Sequence, residues 1–410
     1  MSSYSAKIGA PKILVLFGLT LCLLFPFNAA APDGLWQILA LTVILSGICS
    51  FYLLLWRVQL SQVSVGIVTV GVLVFGTTGL LVPDRIVSVS LLVSSAAVGV
   101  AAATIPQAKK CVWTILGASM LVLSASFFFS FDLLVTTGID LRVEYPNSGL
   151  FRATGVMGHP LLSAFVIVTL CCGLAAYYWA SFRGFAILLI LFSGTGAALF
   201  TGTRSAFITT AIVCLIATIS SALTRKMSTV ARTAYLLGVG SILTLTYFSS
   251  TLLTASQLRV FDFSELASEA SFATRANTLS ILQRAEASLT CTGVCEVTGR
   301  GFRRSTDYFA TYSNSSLVRT FDNSYVTAYF DLGILGVALI LFVLTLILRT
   351  KVDAGTKLCI FGVISLPAFF FDSIYSVGTV CASAFLLALV WGQVCAPARS
   401  QEFLERTRSI

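Results

Sequence analysis

A chain of 410 residues would by length alone make two or three soluble domains, but 57% of it is hydrophobic and 10% charged, against about 25% charged in ordinary soluble domains. That composition excludes a water-soluble globular protein and makes the chain a polytopic membrane protein. A net charge of +9 would suggest a nucleic-acid partner in a soluble protein, so the placement of the charges decides its meaning.

A membrane-crossing helix needs about 20 predominantly apolar residues, and the runs here are of that kind rather than the short alternating segments of a closed barrel. Twelve are predicted, at 13–30, 35–56, 62–82, 86–104, 111–131, 160–180, 184–200, 205–222, 233–253, 323–348, 357–376 and 378–395. The expected fold is an all-α integral membrane domain over residues 1–410, with about 12 transmembrane helices. At Thr201–Arg204 and around Val377 adjacent runs almost touch, so a re-entrant segment is an alternative to two spans at each place. Lys7, Lys12, the first apolar run and Ala29-Ala30-Ala31 together resemble a secretory signal, but Pro32 directly after argues against cleavage.

Cytoplasmic amino and carboxyl termini satisfy the positive-inside rule. The inner loops and tails then carry fifteen basic residues and three acids, which leaves +12 inside and −3 outside. All seven lysines fall inside, and every outward basic residue is arginine. Arg85, Arg142, Arg152 and Arg204 stand in short outward loops, where the rule makes them scarce. The basic balance therefore sets orientation and gives no support to nucleic-acid binding.

Polar sequence collects in two outward segments, Asp132 to His159 and Thr254 to Asp322, the latter between the ninth and tenth spans. Segments this long are usually functional or disordered. The second has helical stretches at Phe263 to Ala270 and Thr274 to Leu289, which suggest a small helical cap. Cys291 and Cys295 lie in it, on the side expected to be oxidising, where a local disulfide is one of two open states. One histidine and a single C-x3-C make no zinc site, and no P-loop or dinucleotide fingerprint is present, so no metal, cofactor or ATP-driven step is expected.

Five strings put Arg, His, Asp or turn residues at the outer ends of spans. They are Phe151-Arg152-Ala153-Thr154-Gly155 followed by Gly158-His159-Pro160; Thr201-Gly202-Thr203-Arg204-Ser205-Ala206; Thr274-Arg275; Gly299-Arg300-Gly301-Phe302; and Asp322-Asn323-Ser324-Tyr325 running into Asp331-Leu332-Gly333-Ile334-Leu335-Gly336. In order and placement, the Gly-Thr-Arg-Ser-Ala string, the Arg-x-x-Gly with His-Pro, and the late Asn-x-Tyr with acidic-Leu-Gly-Ile-Leu-Gly resemble the O-antigen ligase and O-antigen polymerase family. The motifs cover roughly 150–340.

That resemblance implies a bacterial inner-membrane glycosyltransferase, metal-independent and inverting, working at the outer face of the cytoplasmic membrane. Its partners would be an undecaprenyl-diphosphate-linked oligosaccharide, a glycan acceptor and the surrounding lipid bilayer, with room for a chain-length regulator. Polymerases pass the glycan to another lipid-linked repeat, and ligases pass it to lipid A-core. In the ligases a histidine precedes the Asn of the late motif; here Asp322 stands there, which favours the polymerase. A flippase or transporter is the reading from another class. Against it, the chain shows no paired halves and gathers its polar residues at one face.

The chemistry makes a demand of its own. Breaking a sugar–phosphate bond develops negative charge on a diphosphate, and guanidinium forks stabilise it by charge-assisted, bidentate hydrogen bonds better than lysine does. Arg204 is the leading candidate, the alternative being an interfacial arginine reaching for water. Arg152 follows, with a salt bridge to a neighbouring acid as its alternative. Arg275, Arg300 and Arg303 are further candidates against a role as solvated loop charges. Asp322 would act as the base for the acceptor hydroxyl, or else cap the helix beginning near Asn323; His159 is a second catalytic candidate. Asp331, inside an apolar span, should have a partner among the arginines.

Overall fold

A computed structural model of the chain describes residues 9–25, 33–57, 85–129, 153–155, 157, 159–178, 183–223, 278–288, 294–312, 321, 323–349, 354–370 and 375–395. Among them the regular elements are all helices: α1 (Ala10–Leu24), α2 (Asp33–Arg57), α3 (Ile86–Ala103), α4 (Pro106–Phe129), α5 (Pro160–Tyr178), α6 (Arg183–Thr201), α7 (Arg204–Leu223), α8 (Thr278–Ser288), α9 (Val294–Thr298), α10 (Arg304–Tyr312), α11 (Ser324–Arg349), α12 (Ala354–Phe370) and α13 (Val377–Cys395). Six are long and apolar enough to cross a membrane, namely α2 to α6 and α11; α1, α7, α12 and α13 contain shorter apolar stretches. The protein is an α-helical membrane protein. The runs expected at 62–82 and 233–253 lie outside the described residues, as do most of segments 132–159 and 254–322.

The distribution of side chains fits a bundle solvated by lipid. Leu121, Phe128 and Phe129 of α4 are more than two-thirds exposed, and Ile38, Leu41, Ile48 and Tyr52 of α2 more than half. In water such surfaces would drive aggregation; in hydrocarbon they cost nothing. The interior, by contrast, contains small and hydroxylic residues. Gly18 lies against Ser46, Gly47 against Ser94 and Gly194 against Thr210, each so close that a Cβ would collide. Ser46 Oγ is hydrogen-bonded to the carbonyls of Leu14 (3.0 Å) and Thr42 (2.8 Å), tying α2 to α1. With no hydrophobic drive between helices in lipid, close backbone approach and such hydrogen bonds hold spans together.

Helix α5 is the axis of the bundle. It is apolar on every side, as a fully enclosed helix must be, and 83% of it is buried against 33% of α4 and α11. It packs on α4, α6, α7, α12 and α13; α13 in turn packs on α3, and α3 on α2. Both sequence-adjacent pairs resolve into separate helices: α6 and α7 pack together across a two-residue turn, and α12 stops at Phe370 before α13 starts at Val377. Helices α8, α9 and α10 all pack on α11. The helix expected at Thr274–Leu289 is Thr278–Ser288, and the one expected at Phe263–Ala270 lies outside the described residues.

Candidate functional site

The start of α5, the α6–α7 turn and the segment 299–305 come together at one end of the bundle. Pro160 opens α5, where its missing N–H costs no hydrogen bond, and this sets His159 at the helix mouth. The Ser163 N–H donates to the His159 carbonyl (3.0 Å) and Ser163 Oγ to the Thr154 carbonyl (2.5 Å). The Ala153 N–H donates to the Phe200 carbonyl at the end of α6 (3.1 Å). The short stretch before His159 is thus stitched to both helices.

Gly202 adopts φ 60°, the left-handed conformation that ends helices, and the Thr203 N–H closes back on the Ala198 carbonyl (3.0 Å). Thr203 stands at the N-cap position of α7, its carbonyl accepting the Phe207 N–H (3.2 Å). This fixes Arg204 as the first residue of α7, half-buried. Ala164 and Phe165 of α5, Ala198 of α6 and Ala206 of α7 form one buried cluster. His159 and Arg204 therefore stand on adjoining helix ends.

Helix α11 is not continuous. Gly333 has φ 65° and ψ −160°, which interrupts the helical ladder, and the segment after α9 docks into the break. The Arg300 N–H donates to the Phe330 carbonyl (3.1 Å) and the Gly301 N–H to the Asp331 carbonyl (2.9 Å). Gly299 and Gly301 both adopt positive φ, and Gly299 also permits close approach, since a Cβ on it would collide with the Asp331 peptide. The turn then forces Arg303 to φ 60°, the one positive φ on a non-glycine among the described residues, at about 1–2 kcal/mol of strain. Strain of this kind persists only where surrounding contacts impose it.

Those contacts converge on Asp331, which is fully buried. Its Oδ1 accepts from the Ser305 N–H (2.7 Å), and its Oδ2 from Ser305 Oγ (2.9 Å) and the Tyr375 hydroxyl (2.6 Å). Among the described residues, hydroxyl and backbone donors meet this carboxylate, because segment 299–305 and the residue before α13 come together over it. Arg303 joins the network indirectly, donating from Nη2 to the Tyr375 carbonyl (3.2 Å). Phe302 stacks edge-on against the Tyr375 ring (4.9 Å) and lies in the same buried core as Met157 and Ala153. Met157 in turn abuts Gly378 of α13. On the far side of the turn, Asp307 pairs with Arg85 at the start of α3 (2.7 Å).

The Arg300 guanidinium lies 4.6 Å over the Phe330 ring, with its Nε buried and without a hydrogen-bond partner among the described residues. Four candidates, His159, Arg204, Arg300 and Arg303, are thereby placed at one end of the bundle. Arg152, Arg275 and Asp322 lie outside the described residues. Asn323 caps α11: its Oδ1 accepts the N–H of Tyr325 (3.0 Å) and of Val326 (3.2 Å). Ser305 and Tyr375 escaped notice in the sequence. No motif marks them, and only the buried charge of Asp331 signalled that partners had to exist.

Cys295 is disulfide-bonded, its partner lying outside the described residues. Among the described residues no three His, Cys, Asp or Glu side chains are grouped to hold a metal ion. No family model and no curated protein matches the chain.

Proposed function

We propose that this protein is a membrane glycosyltransferase that polymerises lipid-linked oligosaccharide repeats at the outer face of a bacterial cytoplasmic membrane. The observation that carries the reading is the placement of Arg204, Arg300, Arg303 and His159 at one end of an apolar bundle, Arg204 and His159 within the motifs through which the sequence resembles O-antigen polymerases and ligases. Guanidinium groups at the rim of a bilayer suit a ligand with an anionic diphosphate and an isoprenoid tail. The Arg300 guanidinium, partly buried over the Phe330 ring, is one such group.

In this reading Arg204 and Arg152 hold the donor diphosphate, with Arg275, Arg300 and Arg303 alongside. The acceptor hydroxyl attacks the anomeric carbon, the bond to the phosphate oxygen breaks, and the charge left on undecaprenyl diphosphate is met by arginine. Asp322, or His159 in its place, takes the proton of the attacking hydroxyl. Attack opposite to the leaving group inverts the anomeric centre.

The test is chain growth by purified protein in liposomes with lipid-linked repeats and neither nucleotide nor metal. Products several repeats long support the reading; an unchanged donor overturns it. Gene deletion separates the two activities of the family. Loss of a polymerase leaves single-repeat product, whereas loss of a ligase leaves long polymer on its lipid carrier.

A further inference from the structure

We infer that Asp331 is a positioning residue: together with Ser305 and Tyr375 it clamps the Arg300–Arg304 turn onto the bundle so that the guanidinium groups of Arg300 and Arg303 are held ready for an anionic ligand. The three donors to its carboxylate come from two separate parts of the chain, Ser305 at the start of α10 and Tyr375 before α13. Asp331 itself belongs to a third, the outer stub of α11. One buried carboxylate thus joins the arginine-bearing turn, α11 and α13. An ionised acceptor makes stronger hydrogen bonds than a neutral one, and in a buried site they are not diluted by water.

The geometry links this clamp to the two arginines. Ser305 lies two residues after Arg303, and its bonds to Asp331 hold the turn in the conformation that gives Arg303 its positive φ. Tyr375 gives its hydroxyl to Asp331 and its carbonyl to Arg303 Nη2, so a single residue connects the carboxylate to the guanidinium. Arg300 is bound one residue upstream, its N–H on the Phe330 carbonyl and its guanidinium over the Phe330 ring. Asp331 is fully buried. Its part is mechanical: it removes freedom from side chains that would otherwise lose it on binding.

Two readouts separate this clamp from the polymerase reading on which its catalytic consequence rests. The first needs no activity. Full-length protein in nanodiscs is treated with trypsin, and cleavage after Arg300, Arg303 and Arg304 is followed by mass spectrometry. Cleavage tracks the open population of the turn, and a hydrogen bond to a charged group is worth enough that Tyr375→Phe or Asp331→Ala should speed it by about tenfold or more. Tyr375→Phe keeps the ring stacked on Phe302, so it tests the clamp even if Asp331→Ala fails to assemble. Asp331→Asn should fall between wild type and Asp331→Ala, because its amide oxygen can still face the Ser305 N–H while the two hydroxyls turn to accept.

The second readout is chain growth. The same variants should raise the KM for the lipid-linked donor with a smaller effect on kcat, and Tyr375→Phe should raise KM less in an Arg303→Ala background, where only Arg300 is left to position, than in the wild type. Cleavage unchanged in Tyr375→Phe and Asp331→Asn would overturn the clamp whatever the activity. Faster cleavage with an unaltered donor KM would overturn its positioning role. Absence of chain growth in the wild type, with faster cleavage in the variants, would remove the polymerase reading and leave the clamp standing.

Discussion

Gly299 and Gly333 stand backbone against backbone: a Cβ built on Gly333 would meet the Gly299 nitrogen and the Val297 carbonyl, and one built on Gly299 would run into the peptide between Asp331 and Leu332. Both have positive φ, at 73° and 65°. Alanine at either position therefore meets two penalties, an unfavourable backbone conformation and a collision with main chain that cannot move aside. Gly299→Ala and Gly333→Ala should each destabilise the protein by about 3 kcal/mol, read as a fall in detergent Tm and in the monodisperse fraction. An unchanged Tm for both would mean the docking contributes little.

Asn323→Ala removes the side chain that caps α11 and should cost about 1 kcal/mol, whereas Asn323→Ser or Asn323→Asp should cost much less. Thermal unfolding of the three variants side by side gives the order. If alanine and serine behave alike, the hydrogen bonds from Tyr325 and Val326 are not what starts this helix.

Arg204→Ala should reduce polymer by about 100-fold in a complementation assay at normal protein level, as the loss of a group that meets developing charge does. Arg204→Lys should recover only part of it, since an ammonium cannot form the bidentate pair. Normal polymer from Arg204→Ala would take this residue out of the site.

The Arg85–Asp307 pair looks at first like a strong anchor at 2.7 Å, and Arg304 adds a second contact to Asp307 at 3.4 Å. About a third of each side chain of the pair is nevertheless exposed. An ion pair so open to water is worth less than about 1 kcal/mol, so Asp307→Asn should shift Tm by only a degree or two and the shift should shrink in high salt. A large, salt-insensitive loss would show that the pair is shielded from water in the membrane.

Much of the bundle was legible because spanning helices are written in long apolar runs. Pro160 marked the start of α5, and the near-contact of two apolar runs at Thr201–Arg204 marked the break that the structure makes a turn between α6 and α7. The break in α11 was not legible. Apart from Asp331 its sequence stays apolar on both sides of Gly333, and glycines within such a run usually read as helix-packing surface. Only the pairing of Gly299 with Gly333, 34 positions apart, creates the kink, and no local pattern encodes a partner at that distance. Asp331 illustrates the same limit. Its chemistry demanded partners, and Ser305 and Tyr375, which donate to it, are ordinary residues that only the fold brings there.

The break at Gly333 also bears on how the protein can be made. The carbonyls of Phe330 and Asp331, released from the helical ladder, find their donors in Arg300 and Gly301, which precede them in the chain and so leave the ribosome first. An uncapped carbonyl in hydrocarbon is costly, and here the donor segment has already been synthesised when the helix that needs it arrives. Trimming residues 299–301 to obtain a minimal membrane core would thus leave α11 with bare main-chain oxygens in its first turns. This short segment belongs to the span as much as the residues that cross.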